Sequence, residues 1–316
     1  MHPEWLICFD ELIASSTAGL PQDKDVKWTY LSRQQIIEGL ALKGIIISRY
    51  HVGQLLDFRG YKKRNLLKKN ALNDVEGRNE QFEKIAAYRR SFSEQGLPVI
   101  SIDTKKKELL GNFSRSGQAY STGERCANDH DFPSSALGQI VPHGIYDIND
   151  NTGYMTLGTS KDTSEFVCEN LRHCWVEHLQ YKYPNADTIL LLCDGGGSNA
   201  SAHYIVKQDL VKTAKLLNIN ILVAHYPPYC SKWNPIEHRL FSQITHTWAG
   251  TPLLNIEFVK QLTDSTTTKT GLKVITNINE NVYLNKRTVE PDFKNNIEQY
   301  ILFDEIYPKW NYLIKN

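Results

Sequence analysis

The sequence predicts an α/β fold: a mixed sheet flanked by helices, preceded by an N-terminal helical region. Three observations carry this expectation. Up to about Leu97 the apolar residues recur at helical spacing. From Val99 short β-rich runs bounded by turn residues take over. After Gly158 such runs alternate with amphipathic helical stretches.

Taken in order, Ser32 and Gln35 have capping-box spacing, and Ile36, Ile37, Leu40 and Ala41 follow on one face. Lys43-Gly44 breaks that helix, and a second begins near Ser48 with Val52, Leu55 and Leu56 on one stripe. Two short helices joined by a glycine-containing turn predict a helix-turn-helix within residues 1–72, with Arg49, Tyr50, His51 and Gln54 outward on the second helix. Residues 73–98 read as a connecting helix that offers Phe82, Ile85, Ala86 and Tyr88 for packing and ends at Gly96 and Pro98.

"VISIDTKKKELLGNF" then opens a buried strand at Val99, and "GIYDI" and "GYMTLGTS" form two more around the turn "NDNTG". Asp162 and Glu165 open an amphipathic helix carrying Phe166, Val167, Leu171, Trp175 and Leu179. The strand "TILLLCD", a helix from about Ala200 to Leu217, the strand "INILVAHY" and a helix starting near Asn234 complete the series. An antiparallel meander followed by parallel crossovers makes a mixed sheet. The order is that of a ribonuclease H-like fold, expected over residues 99–250, with 251–316 as a C-terminal extension.

Composition bounds the function less than the distribution of charge does. The 316 residues are 41% apolar, enough for a packed core, and the net charge is only +1. Between Lys43 and Lys69, however, Lys43, Arg49, Arg59, Lys62, Lys63, Arg64, Lys68 and Lys69 face Asp57 as the only acid. Such a window suits phosphate contacts, with a solvated helix face as the plain alternative. No signal-peptide pattern and no membrane-length apolar run occur, which sets the expectation of a cytoplasmic protein. The six cysteines contain no C-x-x-C pair, so buried reduced thiols are expected rather than a disulfide framework or a zinc site.

Three carboxylates stand at telling places. Asp103 ends the first strand of the sheet, Asp194 ends the fourth, and Glu237 lies in the first turn of the helix after the fifth. In a ribonuclease H-like sheet the first and fourth strands are parallel neighbours, so the aspartates emerge side by side and Glu237 closes the triangle. Three acids at one spot suit two Mg²⁺ (or Mn²⁺) ions on oxygen ligands, the arrangement used for in-line phosphoryl transfer. Each acid also has a structural alternative. Asp103 and Asp194 could be turn residues, and Glu237 could be the N3 residue of the helix start Asn234-Pro235-Ile236-Glu237.

The loop "CDGGGSNAS" lacks the Lys-Ser or Lys-Thr of a phosphate-binding loop and the spacing of a dinucleotide-binding turn. Gly195, Gly196 and Gly197 therefore read as bare backbone that lets a nucleic-acid strand approach Asp194. Lys105, Lys106 and Lys107 after the first aspartate, and Lys232, His238 and Arg239 around Glu237, are candidate contacts to DNA phosphates, each with a structural alternative. His130, His143 and His225 show no metal-ligand spacing.

Across residues 28–312, "VISIDTKKKELLGNF", "HDFP", "LLLCDGGGSNAS", "YPPYCSKWNPIEHRLFSQI", "TTTKTGLKV" and "KWNY" together resemble the Rhodopirellula-type insertion-sequence transposases, a DDE-domain family of bacteria. The resemblance implies metal-dependent DNA cleavage and strand transfer, with Asp103, Asp194 and Glu237 as both catalytic acids and metal ligands. It also implies double-stranded DNA partners, namely the element's terminal inverted repeats and a target, a homo-oligomer on that DNA, and a place on the bacterial nucleoid. Family members carry a further N-terminal helical stretch, so the start at Met1-His2-Pro3 sets the expectation of an N-terminally truncated copy. Two rivals remain open at this stage: a nuclease of the same fold without strand transfer, and an inactive copy that only binds DNA.

Overall fold

The polypeptide folds as two units, Met1–Asn70 and Ala71–Asn316. The computed structural model describes residues 2–20, 23–64, 75–196 and 203–316. Among them, no helix is long and apolar enough to cross a membrane.

The N-terminal unit begins with α1 (Pro3–Ala14), which carries proline in its first turn, followed by the antiparallel strands β1 (Thr17–Leu20) and β2 (Asp23–Thr29). This strand pair departs from the all-helical expectation. Its cause is local: Val26 and Trp28 alternate with charged residues at period two, a strand pattern too short to stand out beside the helices. Then come α2 (Arg33–Ala41) and α3 (Arg49–Phe58), joined through Gly44 at φ +82°.

The capping box of α2 forms as its spacing implies, since Gln35 N donates to Ser32 Oγ at 3.2 Å and Ser32 N donates to Gln35 Oε1 at 2.9 Å. Phe9 and Ile13 of α1 share one apolar core with Ile36, Leu40, Ile47, Val52 and Leu55. Two cations of the basic window serve this packing. Lys43 pairs with Glu11 at 2.6 Å and Arg59 pairs with Asp10, so α1 takes up part of the positive charge.

The second unit starts with α4 (Arg78–Glu94). Its Ile85 and Phe92 pack on Val99, Leu190, Leu192, Ala224 and Tyr226. The chain continues through β3 (Val99–Thr104), β4 (Glu108–Leu110), β5 (Gly138–Asp147) and β6 (Thr152–Gly158). Next, α5 (Ser164–Cys174) runs through a π-helical turn into α6 (Gln180–Lys182), and β7 (Thr188–Cys193), α7 (Tyr204–Leu217) and β8 (Asn220–His225) follow. A second π-helical turn, Glu237–Phe241, leads into α8 (Ser242–Thr247). The last elements are α9 (Ile256–Asp264), β9 (Lys273–Asn279), α10 (Pro291–Asn295), β10 (Ile301–Phe303) and β11 (Asn311–Ile314).

The sheet order is β10-β11-β8-β7-β3-β5-β6-β9, with β4 also paired to β5. Its centre, β6-β5-β3-β7-β8, has an antiparallel β3-β5-β6 meander and parallel β3-β7 and β7-β8 pairs, the ribonuclease H-like arrangement. The C-terminal residues do more than extend this core. β9 adds parallel to β6 at one edge, and β11 adds antiparallel to β8 at the other.

Alternation along the strands divides the core between the two faces. Ile100, Ile102, Leu191 and Cys193 join Val167, Leu171, Leu210 and Val211 on one side. On the other, Tyr146 and Met155 meet Ile236, Leu240 and Phe241. One helix start differs from expectation: Thr163, not Asp162, caps α5, accepting from Phe166 N at 3.2 Å. The cysteines of the described residues are free thiols, with Cys168, Cys174, Cys193 and Cys230 buried.

Candidate active site

The parallel register pairs Val99 with Leu190, Ile100 with Leu191 and Ser101 with Leu192. This pairing stops two residues before Asp103, near the end of β3, and Asp194, one residue past the end of β7. Because Ile102 and Cys193 enter the core on one face, strand alternation sends both aspartates to the opposite face, where Ile236 and Leu240 pack.

Glu237 is delivered to that face by three hydrogen bonds. Ser101 Oγ donates to Asn234 Oδ1, Asn234 Nδ2 donates to Ile102 O at 3.1 Å, and Ile236 N donates to Ser101 Oγ at 3.2 Å. Ser101 and Asn234 are both fully buried. The side chain of Asn234 is thus spent on β3 and does not cap the helix, and Glu237 makes no capping bond either. The backbone keeps the turn, with Glu237 N donating to Asn234 O at 3.0 Å.

Gly144 permits the close approach of this turn. It lies opposite Asp103 on β5, and a Cβ there would come within 2.6 Å of Phe241 and 2.8 Å of Ile236.

The acids perturb one another. The Asp103 carboxyl is pushed up to about 8, first by burial and next by the charge of Asp194; Thr104 N, donating at 2.7 Å, opposes the rise, and Glu237 adds to it. Glu237 lies within hydrogen-bonding reach of Asp103. Asp194 is also raised, by burial above all, with Glu237 and Asp162 contributing charge.

Asp162 is the residue the sequence reading missed. It accepts from Thr104 Oγ1 at 3.1 Å and so stands beside the end of β3 as a fourth carboxylate. Its only sequence signal was an acid before a helix, which points to a cap.

This donor set, all carboxylate oxygen, suits a hard divalent cation, and among the described residues no lysine or arginine forms an ion pair with Asp103, Asp194 or Glu237. As placed, no three His, Cys, Asp or Glu side chains among the described residues are drawn close enough to share one ion.

His225 supports the site from behind. Its Nδ1 lies 2.9 Å from Asp194 O and its Nε2 3.1 Å from Tyr312 Oη. Burial lowers its pKa to about 4, so the ring is neutral. His143, also fully buried and lowered to about 3, packs edge-on against Phe166 at 5.8 Å.

The other expected residues fall into two groups. Lys105 pairs with Glu108 at 3.1 Å and sits 4.9 Å from the centre of the Trp248 ring, while Lys106 and Lys107 are exposed. Lys232, His238 and Arg239 are exposed; Lys232 lies over Trp233 at 5.6 Å, and Arg239 interacts with the Tyr146 hydroxyl.

In the N-terminal unit Arg49, Tyr50, Gln54, Lys62, Lys63 and Arg64 are exposed, whereas His51 is half-buried between Ser48 Oγ and the Trp5 ring. Gln54 Nε2 donates to the Tyr50 hydroxyl at 3.2 Å. Lys68 and Lys69, like Gly197, Ser198 and Asn199, lie outside the described residues. Gly195 and Gly196 are exposed beside Asp194, and among the described residues a Cβ on Gly196 would meet Asp194 Oδ2 at an ordinary 3.8 Å.

The protein is thus a ribonuclease H-like domain with Asp103 near the end of one parallel strand and Asp194 just past the end of its neighbour. The chain belongs to the family described as Rhodopirellula transposase DDE domain, which matches residues 9–316. It is therefore a DDE transposase of the insertion-sequence type, from a family that uses divalent metal.

Among solved structures it is similar to the Mos1 transposase paired-end complex with left transposon end, at 16% identity and TM-score 0.47, over 83% of this chain and 70% of that one. It is also similar to the mariner Mos1 paired end complex with Mg, at 17% identity and TM-score 0.46, over 83% and 71%. The catalytic domain of Mos1 mariner transposase matches at 15% identity and TM-score 0.40, over 61% and 80%. No curated protein matches the chain.

Proposed function

We propose that Asp103, Asp194 and Glu237 are the catalytic acids of this transposase and hold two divalent ions, Mg²⁺ or Mn²⁺, with Asp162 beside them. The observation that supports this reading is the buried clamp of Ser101, Ile102 and Asn234, which holds the turn carrying Glu237 against the strand that carries Asp103, beside Asp194 at the end of β7. Bound ions of this kind lower the pKa of an attacking water or 3′-hydroxyl and stabilise the leaving oxygen in phosphoryl transfer.

The protein's own part is placement. Thr104 N fixes one oxygen of Asp103, Asn234 and Ser101 hold the turn that carries Glu237, and His225 holds the backbone of Asp194.

The DNA partners in this reading are the element's terminal inverted repeats and a target duplex. Arg49, Tyr50, Gln54, Lys62, Lys63 and Arg64 of the N-terminal unit would contact the ends, while Lys232 and Arg239 flank the acids. Joining two ends calls for two or more copies on the DNA, acting on the bacterial nucleoid.

A strand-transfer assay with pre-processed ends and labelled target tests the assignment. Joined product in Mg²⁺ that disappears in Asp194→Asn supports it. Cleavage without joining returns the chain to the nuclease reading, and cleavage unchanged in Asp194→Asn removes the triad from the mechanism.

A further inference from the structure

Asp194 stands one residue beyond the end of β7 and is followed by Gly195 and Gly196, which have no Cβ to restrict the backbone. Its carbonyl nevertheless meets a donor. His225, whose Cα is paired with that of Cys193 across the parallel β7-β8 ladder, directs Nδ1 to Asp194 O at 2.9 Å.

A carbonyl only accepts, so the bond to Asp194 O places the ring proton on Nδ1, which also lies 3.3 Å from Cys193 Sγ, and leaves Nε2 to accept from the Tyr312 hydroxyl at 3.1 Å. Tyr312 lies on β11, the last strand of the chain, and is fully buried.

His225 is itself held from both sides. Its N–H donates to Trp310 O at 2.8 Å, and its C=O accepts from Gln81 Nε2 at 2.9 Å. Gln81 and Asn311, both fully buried, exchange side-chain amide bonds of 2.9 and 2.7 Å, which ties α4 to β11 at the same level.

We infer that Tyr312 and His225 are positioning residues for Asp194: the hydroxyl sets the tautomer of the ring, and the ring N–H fixes the carbonyl of the residue whose carboxylate binds metal. The C-terminal β10-β11 pair is then part of the catalytic apparatus rather than an edge decoration. The argument rests on the assignment of Asp194 as a metal ligand. A backbone left to turn about Asp194 would swing its carboxylate away from Asp103, and groups behind metal ligands commonly matter tenfold or more for affinity.

The test compares the full chain with His225→Leu, His225→Asn and Tyr312→Phe, measuring Mn²⁺ binding by titration calorimetry, the Mn²⁺ concentration for half-maximal cleavage, and Tm. His225→Leu should weaken Mn²⁺ binding by about 10- to 100-fold. Tyr312→Phe, which removes a single oxygen, should weaken it about 3- to 10-fold. His225→Asn, which can offer an amide N–H to the same carbonyl, should recover most of the loss.

Wild-type Mn²⁺ affinity in both Tyr312→Phe and His225→Leu, with only Tm lowered, would overturn the inference and leave the pair as packing. If His225→Leu does not fold, Tyr312→Phe decides. Asp194→Asn separates the two levels. Retained Mn²⁺ affinity there removes the metal-ligand assignment itself, whereas its loss alongside unaffected Tyr312 and His225 variants removes only the relay.

Discussion

Ser101 and Asn234, 133 residues apart in the chain, are joined by a buried hydrogen bond in which the serine hydroxyl donates to the asparagine oxygen. Ser101 lies two residues before Asp103 and Asn234 three before Glu237, so this bond sets the distance between two of the three acids. With the bonds of Asn234 to Ile102 O and of Ile236 N to Ser101 Oγ, the turn that carries Glu237 has little freedom to slide.

Asn234→Ala leaves the Ile102 carbonyl without its side-chain donor and the Ser101 hydroxyl proton without its acceptor, while Ile236 N still donates to Ser101 Oγ. The expected loss of stability is about 2–4 kcal/mol, read from urea unfolding, together with weakened Mg²⁺ binding. An unchanged unfolding midpoint would show that the clamp contributes nothing.

Gly144 marks how tightly the same turn sits on the sheet. Gly144→Val should cost about 1–3 kcal/mol through the clash with Phe241 and Ile236 and should reduce cleavage more than Gly138→Val, where the added Cβ has only Leu110 at 3.8 Å. Equal activity of the two variants would contradict a close fit between Gly144 and the turn.

The acids also set a pH dependence in the metal-free protein. A carboxyl raised in the folded state, as Asp103 is to about 8, binds a proton there that the unfolded chain has already lost. Its contribution is present at pH 4 and is lost as pH rises toward 8. In EDTA, stability should therefore fall over that window, and Asp103→Asn should flatten the profile and stabilise the protein at pH 8 by on the order of 1–3 kcal/mol. Thermal unfolding across pH, with and without Asp103→Asn, measures it; parallel profiles would exclude the effect.

The basic residues of the N-terminal unit divide by what they touch. Neutralising Arg49, Lys62 and Lys63 should weaken binding to terminal-repeat DNA and lower the slope of log K against log salt by about 0.9 for each phosphate that is no longer neutralised. Lys43→Gln and Arg59→Gln, which break the ties to Glu11 and Asp10, should instead alter the packing of α1 and shift Tm. Salt-dependent fluorescence anisotropy beside a thermal melt separates the two groups, and a salt slope unmoved by the first set would leave that surface without a phosphate role.

The meander, the two parallel crossovers and the ends of β3 and β7 were legible because each is written in local periodicity: Val99–Ile102 and "TILLL" are buried runs that end on an acid. The strand pair β1-β2 and the edge strands β9, β10 and β11 were not, because short strands take their stability from a neighbour's ladder and leave a weak pattern of their own. Asp162 was mistaken for a cap because an acid before a helix has the same local signature whether it bonds the helix or, as here, a threonine on another strand.

By itself the sequence determined which residue types could do the chemistry and on which elements they ride, since strand and helix periods are local properties of the chain. Only the tertiary structure decided which of them meet. The contact of Glu237 with Asp103, the diversion of Asn234 from capping to clamping, the pairing of Lys105 with Glu108, and the reach of Tyr312 through His225 to Asp194 all join residues whose spacing in the chain carries no periodic signal. The physical reason is that a hydrogen bond or a charge acts over a few ångströms of space, and folding alone sets those distances.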